Sequence, residues 1–297
     1  MTRYPCAFIF SGKPHTMQFV QTKRSCFGPW SAPLFGRETH IVTVLLLDLG
    51  NTALKWTTLD KPEEPQTYVH GGHGTPPDEL LRTWSALKPT RVVGCMVSSE
   101  MLALSLTKFF NAHGIPWEWL HSEPVFRGNF ELTNGYENCR QLGSDRWFAA
   151  IGAASLYPGQ PLLVVHMGTA TTVDSVVSEN GRLVFCGGRI LPGPAMMYES
   201  LVKGTRCRPN GIGAVEPFPK NTDSAISTGI LEAHLGVIEH ARAAMQDKGS
   251  DVKIVFAGGA APLLAPYIRA RFPQAVLKHN LVLRGLAQQA SQQGLTA

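Results

Sequence analysis

Two short segments of this chain place acidic, hydroxyl and basic side chains directly after runs of apolar residues. The first is LLLDLGNTALKW at 45–56, in which Asp48 ends the run and Lys55 follows seven residues later. The second is LLVVHMGTATTVDSVV at 162–177, where a turn begins at Gly168. Small residues let backbone N–H groups approach an anion closely, and threonine hydroxyls add donors. These residue types favour phosphate binding, although the same turns can serve only to close hairpins.

The two segments share one order of elements. The almost continuous aliphatic run from Ile41 to Leu47 predicts a buried strand, and LKWTTL predicts a second strand after the turn. Aligning Gly50 with Gly168 matches strand, turn and strand in both segments, which indicates a duplicated domain. Two such turns facing each other across a cleft would bind a polyphosphate from both sides. The second segment continues through Asn180 and Gly181, a tight-turn pair that predicts a three-stranded meander.

Helices are predicted after each sheet segment, around 79–87, 101–113, 146–156 and 224–246. With 297 residues, of which 44% are hydrophobic, the chain can bury a sizeable core as one large or two medium domains. The first 40 residues lack a hydrophobic period and are rich in Pro, Gly, Ser and Thr, so an irregular extension is expected there.

Charge and composition exclude several classes of protein. The formal net charge is +5, but residues 1–40 carry five basic residues and one acidic residue, which leaves +1 for the rest. A nearly neutral body argues against a nucleic-acid partner. No apolar run approaches the roughly 18 residues of a membrane-spanning helix, and no secretory signal is evident. The six cysteines stand singly, without CxxC pairs. A soluble cytoplasmic protein with reduced thiols and no membrane partner is therefore expected.

Other nucleotide-binding signatures are absent from the sequence. There is no GxxxxGK[ST] segment, and no GxGxxG follows a strand, so P-loop and Rossmann folds lose support. The stretch FAGGAAPL at 256–263 offers paired glycines on which a base or ribose could lie. A plain strand-to-helix turn explains that stretch equally well.

Taken together, the motifs resemble the type III pantothenate kinases, a family of the actin-like, sugar kinase and heat-shock ATPase superfamily that includes Bvg accessory factor-like members. The similarity runs over roughly residues 42–290. It includes, in order, DLGNTALK (48–55), the Tyr136 region, GSDRW (143–147), GTATTVD (168–174), GGRILPG (187–193), NTDSAI (221–226) and AGGAA (257–261). Each motif is weak alone, and their order and spacing make the resemblance specific.

The resemblance implies ATP-dependent phosphorylation of pantothenate to 4'-phosphopantothenate, the first step of coenzyme A biosynthesis. It implies an α/β fold of two ribonuclease-H-like, actin-like ATPase domains with a cleft between them, here at 41–157 and 158–297 after the extension at 1–40. It also implies a homodimer whose active sites lie near the subunit interface. The open alternatives are a phosphatase or sugar kinase on the same scaffold, and a regulatory or binding protein that has lost catalysis.

The resemblance assigns roles residue by residue. Asp145 matches the catalytic general base, although an Asp beside an Arg before a helix is often an N-cap or a surface ion pair. Asp48 would hold a hydrated Mg²⁺, or else only cap its turn. Lys55 would reach a phosphate, or remain a solvated strand lysine. The positions matched to ATP and phosphate binding are Asp48, Leu49, Gly50, Asn51, Thr52, Ala53, Leu54, Lys55 and Thr169.

Pantothenate is a small carboxylate with an amide and two hydroxyls, so its pocket should combine a cation with neutral hydrogen-bond partners. Arg146 suits the carboxylate or the phosphoryl group. Tyr136 matches a substrate-contacting position, although a buried tyrosine more often belongs to a core. The positions matched to substrate binding are Tyr136, Gly143, Ser144, Asp145, Arg146 and Thr222.

One position departs from the family. Many members carry an aspartate two residues before the second Gly–Thr turn, where it helps to hold a monovalent cation such as potassium, and His166 stands there in this chain. An imidazole is a poor ligand for a hard alkali cation. Three alternatives follow: the enzyme needs no potassium, backbone carbonyls still bind the ion, or the loss of the aspartate has abolished activity.

Overall fold

A computed structural model of the protein describes residues 42–97, 100–179, 181–246 and 251–295. The extension predicted at 1–40 and Asn180 of the predicted meander lie outside the described residues. The strands are β1 (Val44–Leu49), β2 (Ala53–Thr58), β3 (Gln66–Val69), β4 (Arg91–Met96), β5 (Trp117–Leu120), β6 (Val125–Arg127), β7 (Glu131–Asn134), β8 (Leu162–Met167), β9 (Ala170–Glu179), β10 (Arg182–Pro192), β11 (Lys253–Ala257) and β12 (Val276–Leu277). The helices are α1 (Asp78–Leu87), α2 (Glu100–Ala112), α3 (Ser144–Leu156), α4 (Pro194–Gly204), α5 (Thr222–Gln246), α6 (Ala261–Arg271) and α7 (Leu281–Gln292).

The first sheet has five strands in the order β3-β2-β1-β4-β5. Every residue of the central strand β1 is buried, as its continuous apolar sequence predicts. β1 pairs with β2 as the predicted hairpin, and this antiparallel register places Asp48 directly opposite Lys55. On its other side β1 runs parallel to β4, where Asp48 lies beside Cys95. Both neighbours of Asp48 are therefore set by strand register.

The second sheet has seven strands in the order β12-β11-β8-β9-β10-β7-β6. Antiparallel pairing of β8 with β9 and of β9 with β10 forms the predicted meander. A bulge interrupts the β9–β10 register between Phe185 and Gly187, and Gly187 has a φ of +130°, which favours glycine. Beyond the bulge, the pairing register of β10 with β9 is shifted by one residue.

Helices α3 and α7 pack together within a core cluster that also contains side chains of both sheets. Leu46 of β1, Val164 of β8 and Leu283 of α7 all belong to it and are fully buried. A side chain at Gly152 of α3 would collide with the backbone of α7, and one at Gly285 of α7 would collide with the backbone of α3. Glycine at both positions allows the two helices to approach closely between the sheets.

The predicted α/β fold class is confirmed by these two mixed sheets. The four predicted helices correspond to α1, α2, α3 and α5 within a few residues at each end. β6 and β7 precede residue 158 in the chain and join the second sheet, and the domain boundary at 157/158 stays a prediction. Within the described ranges, no helix is both long and apolar enough to cross a membrane.

Candidate active site

The turn between β1 and β2 offers an exposed backbone. The Gly50 N–H donates to the Ala53 carbonyl at 3.0 Å, which closes the turn. Asn51 and Thr52 are exposed, whereas the side chains of Leu49 and Leu54 are fully buried in the core. Among the predicted phosphate-binding positions, Leu49 and Leu54 can therefore offer only backbone groups.

The two Gly–Thr turns meet. The Oγ1 atoms of Thr52 and Thr169 lie 2.7 Å apart and share a hydrogen bond. The second turn is also closed by its glycine, although over two residues instead of three, because the Gly168 N–H donates to the Ala170 carbonyl at 2.9 Å. The repeated hairpins thus place two threonine hydroxyls and two small-residue turns at one point of the molecule.

Asp48 lies near the end of β1, two residues before Gly50 of the first turn, and is 6% exposed. Burial raises the pKa of its carboxyl from 3.8 to about 6; the charge of Lys55 opposes this shift and that of Asp145 adds to it. The Lys55 Nζ lies 3.9 Å from Oδ2, and the Cys95 thiol lies 4.0 Å from Oδ1. Neither contact is a short hydrogen bond, so the carboxylate oxygens can still accept a ligand.

Asp145 lies in the first turn of α3, next to the carboxyl ends of β1 and β4. The Ser144 hydroxyl donates to the Met96 carbonyl at 3.1 Å and joins the start of α3 to the end of β4. A side chain at Gly143 would displace the Asp145 carboxylate, so glycine leaves room for the carboxylate in its observed position. Burial raises the pKa of Asp145, although the Arg146 N–H and the Arg146 charge oppose the shift. A raised pKa brings a carboxylate closer to the basicity that general base catalysis needs at neutral pH.

Arg146 is anchored to the second sheet. Its Nε and Nη2 donate to the Asp174 Oδ1 of β9 at 3.0 and 2.5 Å, and its Nη1 donates to the Tyr136 hydroxyl at 2.8 Å. Both charged side chains are buried, with 7% and 1% exposed. Burial disfavours the guanidinium charge, but the bonds and charge of Asp174 outweigh this effect and raise the pKa of Arg146. Gly188 of β10 leaves room for the pair, because a side chain there would collide with both groups.

Asp174 belongs to this site although the sequence assigned it no role. It ends the GTATTVD motif, and strand alternation places it on the same face as Thr172. That alternation could have indicated which face of β9 carries Asp174. It could not have identified Arg146, 28 residues away in sequence, as its partner. Arg146, which was predicted to face the substrate, binds Asp174 and Tyr136 with three of its five N–H groups.

No described contact links Thr222 to Asp48, Asp145 or the two Gly–Thr turns. It lies exposed at the start of α5, where the Asn221 Oδ1 accepts the Ser224 N–H at 2.8 Å. Together with Arg208 and Asn210, it lines a separate open cavity of about 720 Å³. The role of Thr222 in substrate binding stays a prediction.

His166 lies in β8, opposite Thr172 of β9 and close to the second turn. Its ring is half-buried. Burial, aided by the positive charge of Lys55, lowers the pKa of His166 from 6.5 to about 4. The imidazole is therefore neutral at physiological pH and contributes no negative charge to this side of the site.

The residues present fit a magnesium ion that arrives with nucleotide phosphates. Among the described residues, no group of three or more His, Cys, Asp or Glu side chains could hold a metal. Mg²⁺ is usually bound through one or two carboxylates together with substrate phosphates, and Asp48 provides one carboxylate whose contacts with Lys55 and Cys95 are long, at 3.9 and 4.0 Å.

Comparison with known proteins identifies the family. The family model described as type III pantothenate kinase matches residues 44–244. The type III pantothenate kinase of Herminiimonas arsenicoxydans is 38% identical over 256 residues, covering 82% of this chain and 95% of that protein. That of Bordetella pertussis is 35% identical over 272 residues, covering 86% and 100%.

The fold also agrees with a solved structure. A Baf family protein from Campylobacter jejuni, described as a transcriptional activator, superposes with a TM-score of 0.55 at 21% identity. The alignment covers 84% of this chain and 98% of the other. Since the family model spans more than half of the chain and the curated relatives match over most of their lengths, this chain belongs to the type III pantothenate kinase family.

Proposed function

We propose that this protein transfers the γ-phosphoryl group of ATP to the primary hydroxyl of pantothenate and forms 4'-phosphopantothenate. The observation that carries the proposal is the position of Asp145. The start of α3 that carries it is bonded to the end of β4, and its charge adds to the rise in the pKa of buried Asp48 in β1, next to the turn whose Thr52 contacts Thr169. A base and two phosphate-binding turns therefore share one site.

Phosphoryl transfer depends on positioning and charge neutralisation, with a carboxylate to orient the attacking hydroxyl. Asp145 accepts the proton of the pantothenate hydroxyl as the hydroxyl oxygen attacks phosphorus. The exposed Asn51 and Thr52 of the first turn, with Thr169 of the second, donate to phosphate oxygens. Lys55 adds a positive charge beside Asp48.

Asp48 would hold a hydrated Mg²⁺, and the ion would supply charge neutralisation to the phosphates of ATP. A direct contact of ionised Asp48 with phosphate oxygens would be repulsive. Arg146 keeps two N–H groups beyond the three that bind Asp174 and Tyr136, and these suit the pantothenate carboxylate. We propose that the Tyr136 hydroxyl, which accepts from Arg146, contacts the same substrate.

A coupled assay of ADP release tests this function. Purified protein is expected to consume ATP with pantothenate and not with hexoses, and mass spectrometry should detect phosphopantothenate. Turnover with a hexose instead would support a sugar kinase, and release of phosphate from phosphopantothenate without ATP would support a phosphatase. Calorimetric binding of ATP or pantothenate without product would support the regulatory alternative.

Activity is expected to be independent of potassium. His166 is neutral and offers no oxygen ligand, so we propose that its side chain and local packing replace the cation. kcat measured in buffer free of sodium and potassium should stay unchanged when potassium or ammonium is added. The matched variant His166→Asp is expected to acquire a potassium response. A manyfold rise in the kcat of the wild-type protein on adding either ion would contradict the prediction.

Activity is expected to fall in acid with a midpoint near pH 6. The pKa of Asp48 is about 6, so below that pH its carboxyl becomes neutral and loses its attraction for a cation. kcat/KM for ATP, which reports the free enzyme, should fall by about tenfold per pH unit below the midpoint. Asp48→Asn should be much less active and should lack this step. A profile that stays flat from neutral pH down to pH 5 would show that Asp48 does not titrate there.

We further propose that the protein acts in the cytoplasm as a homodimer, as the family resemblance implies. Light scattering on the purified protein at micromolar concentration tests the dimer. A monomer at all concentrations would refute the dimer without affecting the assignment of Asp145.

A further inference from the structure

The segment YVHGGHG at 68–74 carries two histidines and two consecutive glycines, and the proposed reaction uses none of them. It begins in the last two residues of β3, of which Val69 pairs with Ala53 of β2. Strand pairing therefore brings this segment beside the first phosphate-binding turn. His70 is 2% exposed, whereas His73 is exposed.

Both ring nitrogens of His70 are engaged. The Gly72 N–H donates to Nδ1 at 3.0 Å, so the ring proton must lie on Nε2. Nε2 donates that proton to the Gly50 carbonyl at 2.9 Å. Gly71 and Gly72 have φ values of +55° and +89°, a backbone conformation that favours glycine and turns the chain back toward the ring.

The backbone of this segment supports the same turn. The N–H groups of His70 and Gly71 donate to the Thr52 carbonyl at 3.0 and 3.1 Å. Two carbonyls of the phosphate-binding turn, those of Gly50 and Thr52, are thus occupied by donors from one segment.

The Gly50 carbonyl and the Asn51 N–H belong to one planar trans peptide, so they point in opposite directions. A hydrogen bond that fixes the carbonyl toward His70 also fixes the direction of this N–H. Asn51 is exposed and makes no hydrogen bond within the described residues, which leaves its N–H free for a ligand. Glycine at position 50 has no side chain to restrict rotation of the peptide, and the His70 bond is a direct restraint on its carbonyl.

We infer that His70 is a positioning residue for nucleotide binding, which holds the Gly50–Asn51 peptide with its N–H directed at a phosphate oxygen. Without the ring, the peptide can rotate and present its carbonyl to the phosphate instead. This inference rests on the proposed function for its ligand, ATP. It predicts a loss of affinity for phosphate groups and not for the nucleoside.

Two substitutions separate the two ring contacts. The side-chain amide of glutamine can place an N–H near the position of Nε2, so His70→Gln keeps the donor to Gly50. The carbonyl of asparagine lies near the position of Nδ1, so His70→Asn keeps the acceptor for Gly72 and loses the donor to Gly50. His73→Asn is the matched control, because the exposed His73 ring has no described contact.

The experiment is calorimetric titration of each full-length variant with ATP and with adenosine, with KM and kcat measured alongside. We expect His70→Asn to raise the Kd and KM for ATP by about tenfold, as for a buried carbonyl that loses its donor. The Kd for adenosine, the KM for pantothenate and kcat should stay close to wild type. His70→Gln and His73→Asn should bind ATP as the wild-type protein does.

Unchanged ATP affinity in His70→Asn would overturn the inference. So would an equal loss of ATP and adenosine affinity, or a loss that follows the fall in melting temperature in both His70 variants. ATP binding by a wild-type protein that does not phosphorylate pantothenate would refute the proposed function alone, since the titrations still test His70. A wild-type protein that binds no ATP would overturn both.

Discussion

Asp145→Asn is expected to lower kcat by about 10²-fold or more while ATP still binds. Asparagine keeps the size of the side chain but cannot accept the proton of the pantothenate hydroxyl, and such base or orienting contributions are typically about 10² to 10⁴. The carboxylate is supported at the start of α3 by the Ser144–Met96 hydrogen bond, so the substitution should leave the fold intact. Steady-state kinetics give kcat, and calorimetry gives the Kd for ATP.

Asp60→Asn provides the control, because Asp60 is an exposed acid in the turn after β2. It should match the wild-type protein in both measurements. Near-normal turnover in Asp145→Asn would remove Asp145 from the mechanism. A parallel loss of ATP binding and kcat would assign it to the nucleotide site instead.

Asp174→Leu is expected to lower the free energy of unfolding by about 3–5 kcal/mol, because it leaves the buried Arg146 guanidinium without its counter-ion. For a protein of this size that corresponds to a melting temperature lower by about 5 to 8 °C. Differential scanning calorimetry measures the shift. Activity should also fall, since Arg146 loses two of the contacts that orient it.

The double variant Arg146→Met with Asp174→Leu distinguishes charge from packing. Replacing both members of a buried ion pair by apolar residues is often neutral or stabilising, so most of the lost stability should return. Activity should not return, because the double variant lacks the guanidinium that we propose binds the pantothenate carboxylate. A double variant as unstable as Asp174→Leu would show that the shape of the pair, and not its charge, matters for stability.

Much of the site was predictable from the sequence because its parts are local. The apolar run at 44–49, the small-residue turn and the strand after it define a hairpin, and a hairpin register alone places Asp48 opposite Lys55. The repeated pattern at the second turn predicted a facing pair of turns, and the Thr52–Thr169 contact agrees with it. The helix that carries Asp145 was predicted within a few residues of its observed start.

The contacts between distant segments could not be predicted. The engagement of Arg146 by Asp174 depends on how α3 packs against the second sheet, and composition says nothing of that packing. The role of His70 depends on two positive-φ glycines and a strand pairing, none of which a hydrophobic pattern encodes. The local sequence pattern therefore predicted the residues of the two turns. The residues that hold those turns and Arg146 in place are set by tertiary packing.

Three consecutive residues in the first turn of α3 include two whose side chains donate hydrogen bonds, one to each sheet. Ser144 bonds to the end of β4 in the first sheet, and Arg146 bonds to β9 in the second, with Asp145 between them. A rotation of one sheet against the other would have to break one of these bonds and displace the carboxylate. The start of α3 is thus held by hydrogen bonds to both sheets. Asp145 therefore keeps its position relative to both β4 and β9 for as long as these two hydrogen bonds persist.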